Sequence, residues 1–274
     1  MLKARIITVI VVLPLFLSAL FYLQDIFWAI LLLSLTIIGS REWSRLAGLS
    51  VRNTILYMLL TTFIGGELLF LISESVKVNT YSTNLIWLYS LSVAFWFVSA
   101  PLYLKRFYQV QNPIIWMLIG WAVLLPTCVA LFQLRAISPL LLLGFMATIW
   151  ISDTAAYFTG RAFGKNKLAP QISPNKTWEG VAGALIAVSL YGVIWDFTVQ
   201  QTFFSAPLIL LLLIMAILGI IGDLYESLIK RQAGVKDSGN LLPGHGGILD
   251  RIDALTSSLP FAMLALLVFY PTVP

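Results

Sequence analysis

Nine apolar runs separated by short polar stretches leave this chain very few ways to fold. A run of about 20 apolar residues, wound as an α-helix, matches the roughly 30 Å hydrocarbon core of a bilayer. Lipid offers no water to satisfy backbone N–H and C=O groups, so each run must close its own hydrogen bonds as a helix. The runs are Ile6–Leu23, Ile26–Gly39, Thr54–Ile72, Leu85–Leu104, Pro113–Leu134, Pro139–Phe158, Gly180–Val199, Pro207–Leu224 and Leu255–Tyr270. The second is short for a crossing, and either extends to Trp43 or tilts less than its neighbours. The first starts after Lys3 and Arg5 in the manner of a signal peptide. Its run is too long for an ordinary h-region and no small-x-small cleavage site follows, so it reads as a retained span.

Composition agrees: 59% of residues are hydrophobic and 11% charged, against about 45–50% and about 25% in soluble domains. Disorder, coiled coil and nucleic-acid-binding modules are excluded, because none can carry so much apolar surface. The net charge of +5 is therefore no nucleic-acid footprint. It fits anchoring of cytoplasmic loops and contact with anionic membrane lipid. A single cysteine, Cys128, cannot form an internal disulfide. The fold class expected is an all-α polytopic membrane protein.

The distribution of basic residues sets the expected orientation. With the N-terminus in the cytoplasm, the inner side receives Lys3 and Arg5, then Arg41, Arg45 and Arg52, then Lys105 and Arg106. Arg161, Lys165, Lys167 and Lys176 follow, and finally Lys230, Arg231, Lys236 and Arg251. Of the 17 basic residues only Lys77 and Arg135 fall outside. The chain reads as one membrane unit with its N-terminus in and its C-terminus out. N-terminal helices occupy 1–110 and a C-terminal catalytic region occupies 111–274, with long inner loops at 160–179 and 225–254. The unusual chemistry sits in the C-terminal half, unlike the matched halves of many transporters.

Three helix ends bring acids to one depth on the inner side. Asp153 stands in WISDTAAY, and Asp223, Glu226 and Ser227 share a face at i, i+3, i+4 spacing. Asp250 and Asp253 repeat the i, i+3 spacing at the start of the last span. Carboxylates at a bilayer edge cost free energy unless paired, hydrated or bound to a cation. A shared metal and a set of caps and salt bridges with Lys230, Arg231 and Arg251 are both open on spacing alone. The loop after span six is basic. Its SPNKTWEG stretch lets Ser173 or Asn175 cap a helix while Lys176 and free N–H groups face an anion. Arg161 and Lys165 read as ordinary anchoring charges. In KDSGNLLPGHGGILDRID, glycines permit close backbone approach, and His245, the chain's one histidine, lacks a zinc partner and reads as orienting the loop or donating to phosphate. Carboxylates beside a lysine–glycine cluster suit a polyphosphate with Mg2+.

These residues resemble a known family. Ser227-Leu-Ile-Lys230-Arg231, then Lys236-Asp237, then Pro243-Gly-His245-Gly246-Gly247, then Asp250-Arg251-Ile-Asp253 are similar to the signature of the phosphatidate cytidylyltransferases. SPNKTWEG and SDTAAYFTGRAFGKNKLAP resemble further blocks, and the nine-span layout agrees. The resemblance implies conversion of CTP and phosphatidate to CDP-diacylglycerol and pyrophosphate, in phospholipid biosynthesis at the cytoplasmic face of the bacterial inner membrane. It implies Mg2+ on Asp223 and Asp250, with Asp153, Glu226 and Asp253 in support, and leaves room for a second cation such as K+ and for a homodimer. Lys176 and Lys236 are the expected catalytic cations. Ser173, Asn175, Lys176, Lys230, Arg231, Lys236, His245, Gly246, Gly247 and Arg251 are the expected substrate contacts. The lipid is expected to enter sideways along Leu140–Ile149 and Leu208–Ile221. A transporter would instead spread polar groups along a midplane path, and an assembly subunit would not need the glycine–histidine–aspartate loop.

Overall fold

A computed structural model describes residues 2–77, 85–199, 205–241 and 246–269. The nine expected spans are helices: α1 Leu2–Tyr22, α2 Asp25–Leu46, α3 Val51–Lys77, α4 Ile86–Arg106, α5 Pro113–Ile137, α6 Pro139–Phe163, α7 Trp178–Val199, α8 Ser205–Gln232 and α9 Leu249–Phe269. Among the described residues, eight helices are long and apolar enough to cross a membrane, and the described part of α1, Ile10–Tyr22, is a shorter apolar helix. The helices outrun their apolar stretches at the end that carries the long loops. α2 continues through Trp43 to Leu46, α8 carries Glu226 and Lys230 to Gln232, and α9 already includes Asp250. An interfacial turn keeps its hydrogen bonds whether or not its side chains are apolar, so hydropathy alone marks helix ends too early. α4 opens into a π turn at Phe95–Ser99. Pro101 follows, and a proline both lacks an N–H and crowds the carbonyl four residues back, which loosens the ladder there.

The pairs α6–α7 and α8–α9 pack along each other, with α2, α4 and α5 closing the bundle around α9. At the end opposite the long loops, buried Arg135 of α5 donates Nε to the Leu20 carbonyl and Nη1 to Asp25, each at 2.8 Å, and lies over the Trp28 ring. Expected as an exterior loop charge, Arg135 instead ties the α1–α2 turn to α5. The apolar runs expected to line a lipid route are largely core: Leu142, Phe145, Ile149, Leu212, Met215 and Leu218 are buried.

The loop after α6 is not irregular throughout. Lys167–Ala169 (β1) and Ser173–Thr177 (β2) form an antiparallel hairpin, with Lys167 opposite Thr177 and Ala169 opposite Ser173. Its ends are fastened where α7 begins. Asn166 donates Nδ2 to Glu179 at 2.7 Å, and Trp178 N donates to the Asn166 carbonyl. The cap of α7 corrects the expectation from sequence: Thr177 Oγ1 accepts from Gly180 N at 3.1 Å, while Ser173 and Asn175 lie in β2.

Candidate active site

The hairpin, the C-terminal halves of α6 and α8, and the first turn of α7 enclose a cavity of about 730 Å³. Asp153 lies ten residues before the end of α6 and Asp223 nine before the end of α8. At about 1.5 Å per residue both sit roughly 14–15 Å below those helix ends. Lys176, Ser173 and Asn175, expected from sequence as substrate contacts, line the same cavity from β2. Arg161 and Lys167 line it too, and Arg161 Nη1 donates to the Tyr157 hydroxyl at 3.2 Å. α6 and α7 come this close because Gly183 faces Thr159, whose side chain fills the space a Cβ would need.

Lys176 does not point into empty solvent. Its ammonium meets Asp223 Oδ2 at 2.5 Å, and Asp153 senses both charges. Asp223 Oδ1 also accepts from Ser227 Oγ at 3.2 Å. On α9, Asp253 lies within electrostatic reach of Asp223 and Asp153.

A second cluster holds the loop before α9. Lys230 bridges Glu226 Oε1 at 3.1 Å and Asp250 Oδ1 at 2.7 Å. The other oxygen of Asp250, Oδ2, accepts from Ser238 N at 2.8 Å, Ser238 Oγ at 2.9 Å and Gly247 N at 2.8 Å. Gly246 has φ +81, and a Cβ there would collide with the Asp250 carboxylate. Lys236, Arg231 and Arg251 are exposed, and none of the three lines the cavity. His245 lies outside the described residues, as do Pro243 and Gly244.

Glu42 was missed. It is a buried acid of α2, and its carboxylate accepts from Ile248 N at 3.0 Å, Leu249 N at 2.9 Å and Ser238 Oγ at 3.0 Å. Arg45, one turn on, donates to the Ser238 carbonyl. An acid of the N-terminal half thus holds the start of α9. One signal was available in sequence: Arg41-Glu42-Trp43 places an acid at the end of an apolar run, but with no i, i+3 partner acid to draw the eye.

Among the described residues, no three His, Cys, Asp or Glu side chains form a ready-made metal cage. The donors nonetheless fit a cation that keeps water and phosphate oxygens in its shell. The two carboxylates assigned to Mg2+ by resemblance, Asp223 and Asp250, each already hold a lysine ammonium, at 2.5 and 2.7 Å. Carboxylates that host one cation offer the charge and oxygens that a divalent ion requires.

Comparison with known proteins bears out the resemblance. A model of the cytidylyltransferase family matches residues 3–269. A phosphatidate cytidylyltransferase of Haemophilus influenzae is 35% identical over 95% of this chain and 97% of its own length. One from Pseudomonas aeruginosa is 36% identical over 96% and 97%. One from Bacillus subtilis is 46% identical over 44% of this chain and 45% of its own. A match of this extent covers the helices that carry the cavity, the hairpin and the glycine loop alike, and the chain belongs to the cytidylyltransferase family.

Proposed function

We propose that this enzyme transfers the cytidylyl group of CTP to phosphatidate, at the cytoplasmic face of the inner membrane of a bacterium. The observation that carries this reading is the cavity itself. It sets hydroxyl, amide and ammonium groups of Ser173, Asn175 and Lys176 against the carboxylates Asp153 and Asp223, about a third of a bilayer below the helix ends. A water-borne triphosphate and a lipid phosphate can both reach such a place.

A phosphatidate oxygen attacks the α-phosphorus of CTP. The new Pα–O bond forms as the bond to the β-phosphate oxygen breaks, and pyrophosphate leaves with that electron pair. The attacking phosphate is largely dianionic near neutral pH, its second pKa being about 6, so no general base is required. The protein's work is alignment and charge neutralisation. Ser173 and Asn175 orient the triphosphate, Lys176 neutralises the phosphates, and Arg161 with Tyr157 offers a second phosphate contact on the α6 wall. Mg2+ would be held by Asp223, with Asp153 and Asp253 beside it and Asp250 once Lys230 rests wholly on Glu226. When bound, it supplies Lewis-acid stabilisation of charge on the phosphate oxygens.

The two lysine–carboxylate pairs suggest an exchange of partners. Lys176 leaves Asp223 when phosphate offers it a better anion, which frees that carboxylate for the cation. Nucleotide and metal then bind together more tightly than either alone.

The test is CTP-dependent conversion of phosphatidate by the purified full chain in phosphatidate-containing bilayers, with EDTA and metal add-back. Formation of CDP-diacylglycerol and pyrophosphate in equal amounts, lost with EDTA and restored by Mg2+, is expected. Turnover of an isoprenoid or ether-lipid phosphate in preference to phosphatidate would assign the cavity to another lipid.

A further inference from the structure

Ser238 has every polar group held from two directions. Asp250 takes its N–H, Glu42 and Asp250 share its hydroxyl, and Arg45 takes its carbonyl. The three holders thus come from two helices far apart in sequence, α2 and α9, and Ser238 is fully buried between them. Ten residues on, Glu42 also accepts the N–H groups of Ile248 and Leu249, where α9 begins. A carboxylate suits that place, because unpaired N–H groups and the helix dipole make a helix start electropositive. Space has been cleared for it: a Cβ on Gly239 or Gly247 would strike the Glu42 carboxylate. Glu42 is buried, and among the described residues its three donors, rather than an ion pair, offset its desolvation.

We infer that Glu42 is a positioning residue for the proposed reaction: from α2 it fixes both ends of the glycine loop and so sets where the first turn of α9 stands against α8. That turn carries Asp250, Arg251 and Asp253, and Asp253 is the link to Asp223 and Asp153. Without Glu42, the α9 start loses the two N–H bonds that tie it to α2 and Ser238 keeps only Asp250 and Arg45, so the Ile248 end of the loop can drift from α2 while α8 and α9 remain packed. The carboxylates would then lose their register although the bundle stays folded. Glu42 touches no wall of the cavity, so its influence passes through Ser238 and the α9 start. Substrate binding on the hairpin side should be spared. The inference rests on the reading of the cavity as a cytidylyltransfer site.

The test compares Glu42→Gln, Glu42→Ala and Ser238→Ala in the full chain, purified in bilayers. Hydrogen exchange reads the loop directly, without reference to activity. The N–H groups of Ile248 and Leu249 should exchange at least tenfold faster in both Glu42 variants, with exchange in α6 and α7 unchanged. In the same samples kcat per folded molecule should fall at least tenfold, with KM for phosphatidate within twofold of the parent. Glu42→Gln, which keeps one acceptor oxygen, should lie between the parent and Glu42→Ala. Ser238→Ala removes one hydroxyl and leaves the helices intact. Combined with Glu42→Gln, it should cost less than the sum of the two separately, as expected for groups acting through one contact. Unchanged exchange at the α9 start, or kcat per folded molecule within twofold of the parent, overturns the inference. If Glu42→Ala fails to fold, Ser238→Ala and its cycle with Glu42→Gln decide. A parent chain inactive with CTP and phosphatidate sinks the proposed function, while the exchange result still judges the clamp.

Discussion

Asp223 and Asp250 resemble each other in sequence, but their surroundings differ enough to separate their roles by measurement. Asp250 accepts from three donors on one oxygen and from Lys230 on the other, and its side chain is 5% exposed; Asp223 is 33% exposed and faces the cavity. Asp250→Asn turns one acceptor into an amide donor against N–H groups or an ammonium. It should lower stability by about 1–3 kcal/mol, the cost of a buried group left without a partner. Asp223→Asn should cost less than about 1 kcal/mol, the usual range for an ion pair in contact with water, because its carboxylate is a third exposed and faces the cavity. Both should abolish activity, and denaturation of the two purified variants checks the contrast. Equal stability losses would mean that the loop does not depend on Asp250. For Lys176→Met the two readouts move oppositely. kcat/KM for CTP should fall well over tenfold, while Mn2+ should bind more tightly without nucleotide because Asp223 is freed. Unchanged Mn2+ affinity would end the partner-exchange scheme. At this scale the sequence was legible wherever chemistry repeats at helical spacing: Asp223 with Glu226, Asp250 with Asp253, and Lys176 within a distinctive run. Glu42 was not legible, since its partners are two backbone N–H groups and a serine hydroxyl about 200 positions away. A sequence does not display those. That Arg161 lines a cavity was not legible either, because a cavity wall and a solvated helix end call for the same residue type.

The helices were legible to within a turn or two, because lipid leaves an apolar run no other structure. The hairpin was not. Pro174 and Asn175 are both depleted in strands, and β1 has only three residues, so propensity argued for a loop. What makes the strand is its fastening at both ends, by Asn166 to Glu179 and by Thr177 to Gly180. The hairpin thus works as a short rigid arm that carries Ser173, Asn175 and Lys176 over the carboxylates. Thr177→Val keeps the branched shape and removes only the cap. It should cost about 1 kcal/mol of stability and raise KM for CTP several-fold, since the arm and the start of α7 would no longer be locked together. Thermal unfolding with steady-state kinetics on the same preparation checks both. A stability loss without any change in KM would make Thr177 a cap and nothing more.

Over the whole molecule, charge and depth have to agree on which side the chemistry lies. The end that carries the hairpin and the glycine loop also carries Arg41, Arg45, Arg52, Lys105 and Arg106, whereas Arg135 at the other end is neutralised by Asp25. The positive-inside rule predicts that this end faces the cytoplasm, as the proposed function requires, since CTP is found there. Gln171, at the hairpin turn, and Asn240, in the glycine loop, are both exposed, and Thr198 is exposed at the far end of α7. Cys128 is buried in the core and can be replaced by serine to give a silent background. Single cysteines at Gln171 and Asn240 in intact cells should react with a membrane-impermeant maleimide only after the membrane is opened. A cysteine at Thr198 should react from outside. Because α7 alone joins the hairpin to Thr198, opposite reactivity at Gln171 and Thr198 tests one crossing directly, independent of the count of the other spans. Reaction of Gln171 or Asn240 from outside, in a protein that still makes CDP-diacylglycerol, would place the cavity away from its nucleotide and overturn the assignment of its face.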